Sequence, residues 1–154
     1  MIMEKRVLSN GVEIPAIGLG VYLSPEGQAT ADSVRWAVEA GYRHIDAAAV
    51  YGNECSVGEG IKTCGIPRDQ LFLTSKLWND DIRKGRALDA FKESLERLGT
   101  DYLDLYLIHW PADGHVKAWH VLEELYQTGA VRAIGVSNYC LLYTSDAADD
   151  RISV

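Results

Sequence analysis

The sequence is poor in several features that would each have fixed a class of protein. Cysteine is scarce: Cys55, Cys64 and Cys140 are an odd number with no C-x-x-C spacing. That argues against a disulfide framework and a zinc site, and it suits a reducing compartment. No apolar run approaches the ~18 residues that would span a bilayer. The opening MIMEKRVLS has no apolar stretch behind its basic pair, which makes it a poor secretory signal. These absences predict a cytoplasmic protein with no membrane partner. Basic residues number 15 against 22 acidic ones, and no basic run is longer than a pair such as Lys5–Arg6. The electrostatic footprint of a nucleic-acid binder is therefore missing, and the net charge of −7 reads as a solubility feature. What remains is ordinary for one globular core: 154 residues, 47% apolar and 24% charged.

One pattern recurs along the chain. The segment VLSNGVEIP sets Asn10–Gly11 between two short runs, which predicts a hairpin with positive φ at both turn positions. Beyond IGLGVY a cycle of helix, glycine and strand begins. The first helix is predicted from about Thr30, its N-cap, to Ala40, with a stop at Gly41. The second sets Val57, Ile61 and Cys64 on one face before Gly65. The third carries Ala87, Phe91, Leu95 and Leu98 before Gly99, and the fourth Ala118, Leu122 and Leu125 before Gly129. A strand candidate follows each glycine: HIDAA, LFLTSK, YLDLYLIHW and RAIGVSN. Strand, helix, strand at this spacing implies parallel pairing through right-handed crossovers, hence an α/β fold. A doubly wound sheet should open with G-x-G-x-x-G, and GLGVYLSPEG lacks the third glycine, so a (β/α)8 TIM barrel is favoured. Such a barrel needs about 250 residues. This chain supplies about five of the eight units, behind an N-terminal β-hairpin.

In a barrel the C-terminal strand ends surround one pocket. Read in order, those ends carry Tyr22, Asp46 with Tyr51 just beyond, Lys76, His109, and Ser137 with Asn138. Intervals of 30, 33 and 28 residues separate Asp46, Lys76, His109 and Ser137. Singly, each has an ordinary explanation: a capping Asp46 or Ser137, a core Tyr51, a snorkelling Lys76, a structural His109. Their joint occurrence at successive strand ends points to a site. A phenol, with an ordinary pKa of ~10, is a weak proton donor at neutral pH. An ammonium about 4 Å away favours the phenolate by a few kcal/mol at an effective dielectric of 20, which eases proton donation. A carboxylate such as Asp46 keeps a buried ammonium charged, and an imidazole N–H from His109 can hold a carbonyl oxygen. The set suits reduction of a carbonyl, provided a cofactor supplies hydride.

The blocks GYRHIDAAAVYGNE, TSKLWN, DLYLIHWP and AIGVSN resemble the signature blocks of the aldo-keto reductases, in the same order and spacing. They are most similar to the prokaryotic-type branch that includes 2,5-diketo-gluconate reductases and aldehyde reductases. The resemblance implies a barrel whose hairpin closes the bottom. It implies a catalytic tetrad of Asp46, Tyr51, Lys76 and His109, with Tyr51 as general acid. It places Ser137 and Asn138 on the nicotinamide carboxamide, with Asp46 also at the cofactor, and it makes the cofactor NADP(H). It lines the substrate pocket with Tyr22, Trp78, His109 and Trp110. The implied substrate is a small-molecule carbonyl compound, and the complete protein is expected to be a monomer.

Ala47 stands where the family often has threonine, and Cys55 where it often has glutamate. The larger departure begins at Cys140. Residues 1–139 read as the N-terminal part of the barrel, whereas 140–154, containing LLYTSDAADD, read as a non-family tail of foreign read-through. The chain alone is accordingly expected to be incomplete and inactive. Two other readings compete with a reductase: a non-catalytic barrel that binds nucleotide and a partner protein, and a barrel enzyme using Lys76 as a Schiff base.

Overall fold

The computed structural model describes residues 4–139. The tail expected at 140–154, with Cys140, lies outside the described residues. The chain opens with an antiparallel hairpin of β1 (Lys5–Val7) and β2 (Glu13–Pro15), in which Lys5 faces Pro15 and Val7 faces Glu13. Only Gly11 of the expected turn pair takes positive φ, at 84°. The loop is longer than a two-residue turn. Gly11 N–H donates to Leu8 O at 2.9 Å and Leu8 N–H to Val12 O at 2.8 Å, so one left-handed residue suffices. Asn10 works through its side chain instead, its amide donating to Arg132 O at 2.9 Å just ahead of the last strand. That contact ties the hairpin to the N-terminal end of the sheet.

Five parallel strands follow: β3 (Leu19–Gly20), β4 (His44–Asp46), β5 (Phe72–Leu77), β6 (Leu105–Ile108) and β7 (Ile134–Val136). Their order in the sheet is their order in the chain. A doubly wound sheet reverses strand order at a switch point, and none occurs among the described residues. The helices are α1 (Gln28–Glu39), α2 (Glu54–Thr63), a short α3 (Asn79–Arg83), α4 (Ala87–Leu98) and α5 (His115–Gln127). Gly41, Gly65, Gly99 and Gly129 take positive φ after the four long helices, as their positions predict. Thr30 is not the cap of α1. The helix starts two residues earlier, and the Thr30 hydroxyl, inside the first turn, donates to Pro25 O.

All six residues of β5 are buried, because each face of this strand is covered. One face turns toward the helices, where Ser75 meets α2 through Glu54. The other carries Thr74 and Lys76, which bond to His44 and Asp46 of β4. The helical layer packs closely: a Cβ on Gly60 of α2 would sit 2.6 Å from Val34 Cβ of α1. A Cβ on Gly58 would meet Leu98 O of α4 at 2.7 Å, so both positions need glycine. The run YLDLYLIHW is strand only from Leu105 to Ile108. Ahead of it the Asp104 carboxylate accepts from Leu73 N–H at 2.9 Å, in the place of a ladder carbonyl. No helix among the described residues is long and apolar enough to cross a membrane.

Candidate active site

The sheet register delivers the site. Asp46 ends β4 and Lys76 lies near the end of β5, one face apart from the helices. His109 follows β6, its N–H bonded to Leu77 O at 3.1 Å, so the β5–β6 ladder fixes its backbone. Tyr51 comes from a 3-10 turn, Ala49–Tyr51, just beyond β4. Four positions spread over 64 residues thus meet at one end of the sheet.

The Lys76 ammonium, 6% exposed, is the hub. Its Nζ donates to Asp46 Oδ1 at 2.5 Å and Ala47 O at 2.9 Å, and it lies 3.5 Å from Tyr51 Oη. The backbone carbonyl of Ala47 is a contact that side-chain reading had no means of finding. The bond is made by the backbone carbonyl, which alanine supplies as any residue would. His109 is buried and stands edge-on to Tyr51, ring centroids 5.6 Å apart, with Trp78 edge-on to its other side at 5.4 Å. Burial holds its pKa below the ordinary imidazole value, the Lys76 ammonium adds to this, and Asp46 opposes it. Burial and the ammonium thus both favour the uncharged ring. Its buried Nδ1 has no hydrogen-bond partner among the described residues.

The other expected residues divide into two groups. Tyr22 packs its ring on Tyr51 at 5.1 Å while remaining exposed, and Trp78 joins through His109. Trp110 is exposed and makes no ring contact with this group among the described residues. Ser137 and Asn138 follow β7. Ser137 N–H donates to Ile108 O at 2.8 Å, and Asn138 Nδ2 donates to His109 O at 2.9 Å and Ser137 Oγ at 3.0 Å. Asn138 holds a left-handed φ of 61°. Its amide oxygen and the Ser137 hydroxyl proton are engaged by nothing among the described residues. One acceptor and one donor are what a carboxamide requires, so the pair fits a nicotinamide.

Sequence reading missed Asn53 and Glu54, both buried and following Tyr51 in the chain. Glu54 accepts from Ser75 Oγ at 2.6 Å, Ser94 Oγ at 3.1 Å and Arg97 Nε at 2.8 Å, pinning the Tyr51 segment to β5 and α4. The only signal in the sequence was an Asn-Glu pair following Tyr51-Gly52.

A buried lysine, a carboxylate, a phenol and an imidazole thus meet at the strand ends of a parallel α/β fold. The Aldo/keto reductase family profile matches residues 16–152, and the chain belongs to that family. The glyoxal reductase of Bacillus subtilis (strain 168) is 51% identical over 144 residues, covering 93% of this chain and 52% of that protein. YtbE, an uncharacterized oxidoreductase of the same strain, is 51% identical over 150 residues, covering 94% and 54% respectively. Among solved structures, a Bombyx mori aldo-keto reductase in complex with NADP matches with a TM-score of 0.85. That match has 36% identity and covers 98% of this chain and 55% of the other. The five parallel units are thus those of the TIM barrel, and the chain spans about half the length of the curated relatives it matches.

Proposed function

We propose that at the full length of its relatives this protein reduces small aldehydes and ketones to alcohols with NADPH. The observation that carries the reading is the reach of one ammonium: Lys76 Nζ holds Asp46 and stands 3.5 Å from the Tyr51 hydroxyl. Bound at Ser137 and Asn138, a reduced nicotinamide would supply hydride to the carbonyl carbon. Tyr51 gives its hydroxyl proton to the carbonyl oxygen as negative charge develops there. The Lys76 ammonium stabilises the phenolate left behind, and Asp46 keeps that cation in place. His109, in its uncharged form, donates an N–H to the same oxygen and orients it. Its neutrality favours Tyr51 over His109 as the acid. Tyr22, Trp78 and Trp110 would line the approach with aromatic surface. The compartment we assign is the cytoplasm, where Cys55 and Cys64, both free thiols, stay reduced.

The test is Tyr51→Phe in the full-length enzyme. Aldehyde reduction should fall by ~10²- to 10⁴-fold, the usual worth of a positioned general acid, with NADPH affinity retained. Unchanged turnover would remove Tyr51 from the role. The 154-residue chain by itself should not oxidise NADPH, because β3 and β7 have unpaired outer edges among the described residues. Activity from it would overturn that expectation.

A further inference from the structure

Asn53 occupies the N-cap position of α2 but makes no side-chain capping bond. An asparagine there ordinarily accepts from the N–H groups of the first turn. Its side chain is instead fully buried and points the other way, with Nδ2 donating to Val21 O and Ser24 O, each at 2.9 Å. The amide orientation is fixed by chemistry, since the reverse placement would set its oxygen against two carbonyl oxygens. Its Oδ1 is buried with no partner among the described residues. A buried polar atom left unpaired is costly, so an apolar residue would suit this position better unless the amide N–H groups were needed.

What they hold is a strained turn. Val21 O also accepts from Ser24 N–H at 3.1 Å, closing a turn over Tyr22 and Leu23. Leu23 sits at φ 63°, one of only two non-glycine residues at positive φ among those described, with its side chain 82% exposed. Nothing at Leu23 itself rewards a conformation that leucine disfavours. The turn presents Tyr22 to Tyr51, and Asn53 lies two residues beyond Tyr51, so its amide ties the Tyr22 turn to the segment that carries Tyr51.

We propose that Asn53 is a positioning residue that sets substrate affinity by holding the Leu23 turn, and with it Tyr22, against the general acid. The inference rests on the carbonyl-reductase reading and deepens it: the substrates that depend on this clamp are aromatic aldehydes, which need the Tyr22 face, more than compact aliphatic ones.

The experiment is steady-state kinetics of the full-length enzyme with 4-nitrobenzaldehyde and propanal, for Asn53→Ala, Tyr22→Ala, the two together, and Asn53→Ala with Leu23→Gly. Asn53→Ala should raise KM for 4-nitrobenzaldehyde by about tenfold, more than it alters kcat, and change KM for propanal far less. In the Tyr22→Ala background the same change should have under about a twofold effect, because the face it positions is gone. Leu23→Gly should restore KM in the Asn53→Ala protein, since glycine holds a left-handed φ without help. An unchanged KM for Asn53→Ala, an undiminished effect without Tyr22, or no rescue by glycine each overturns the proposal. Should Asn53→Ala fail to accumulate, the double variant with Leu23→Gly must be soluble with parental KM, and an insoluble one counts against it. Tyr51→Phe separates the two levels. Turnover that survives it sinks the reductase reading, whereas its loss together with a silent Asn53→Ala sinks this inference alone.

Discussion

Two buried ionic centres lie at opposite ends of the parallel sheet, and they are built on different rules. At the N-terminal end of β6, Asp104 is fully buried and both its oxygens are engaged. Oδ1 accepts from Arg132 Nη1 at 2.7 Å, Oδ2 accepts from Leu73 N–H at 2.9 Å, and Arg68 Nη1 forms an ion pair with Oδ2 at 2.8 Å. At the C-terminal end of β5, Lys76 is buried but Asp46 keeps 35% of its side chain exposed and binds the lysine through one oxygen. There the Tyr51 hydroxyl and the His109 Nδ1 retain unused hydrogen-bonding capacity. A buried charge that serves only the fold is saturated, because each missing bond costs stability. The centre at the strand mouth stays unsaturated, and that leaves it groups to offer a third molecule.

The largest effect should come from Lys76→Met in the full-length enzyme. Turnover should drop by roughly 10³-fold, about 4 kcal/mol in activation free energy, because the phenolate loses its counter-charge. Folding should suffer less, since Asp46 reaches water. Rate assays beside thermal unfolding check both halves, and a variant that loses stability while keeping its turnover would break the comparison. Asp104→Ala is the mirror experiment. Removing it leaves two arginines and the Leu73 N–H without their acceptor, so stability should fall by about 3–5 kcal/mol, toward the lower figure because Arg132 is half exposed. Turnover per folded molecule should hold. Denaturant titration measures the first quantity, and a loss of turnover at constant folded fraction would mean that the two centres are coupled.

How much of this was legible in the sequence follows from the same contrast. That the strand-end residues meet could be read because the roughly 30-residue period of the βα unit brings them to one place. The order of the elements and the helix-stopping glycines could be read because periodicity and left-handed caps are local signals. What lay beyond reach was long-range and often backbone-borne. The Ala47 carbonyl on Lys76 belongs to an atom that every residue has. Asn53 drew no reading of its own, and only the loop 29 to 32 residues upstream shows where its amide works. The start of α1 was misplaced at Thr30 because its hydroxyl has a non-local acceptor, Pro25 O, rather than a helix N–H. Trp110 was grouped with the pocket through the family resemblance, and it makes no ring–ring contact with the other members among the described residues.

The smallest effect distinguishes the two ends by pH. Burial lowers the pKa of His109 at the mouth and of His44 deeper in the sheet; for His44 the Asp46 charge and a hydrogen bond with the Pro15 backbone oppose it. A histidine whose folded pKa lies below its unfolded value of ~6.5 is neutral in the native chain while the unfolded chain takes up a proton. The unfolded state then binds more protons, so stability is full above about pH 6.5 and declines as pH falls through the window below it. Both residues should contribute to that decline, but they should part in activity. His44 bonds Thr74 Oγ1 at 3.0 Å and packs edge-on to Phe72, away from the carbonyl oxygen, so His44→Gln should flatten the acid limb of stability and leave that of kcat/KM in place. The acid limb of kcat/KM should instead follow His109, where a proton would set a second cation beside Lys76. Unfolding midpoints and kcat/KM followed from pH 8 to 5 would show it; if the kcat/KM limb disappeared with His44, the buried interior and the strand mouth would titrate as one unit rather than two.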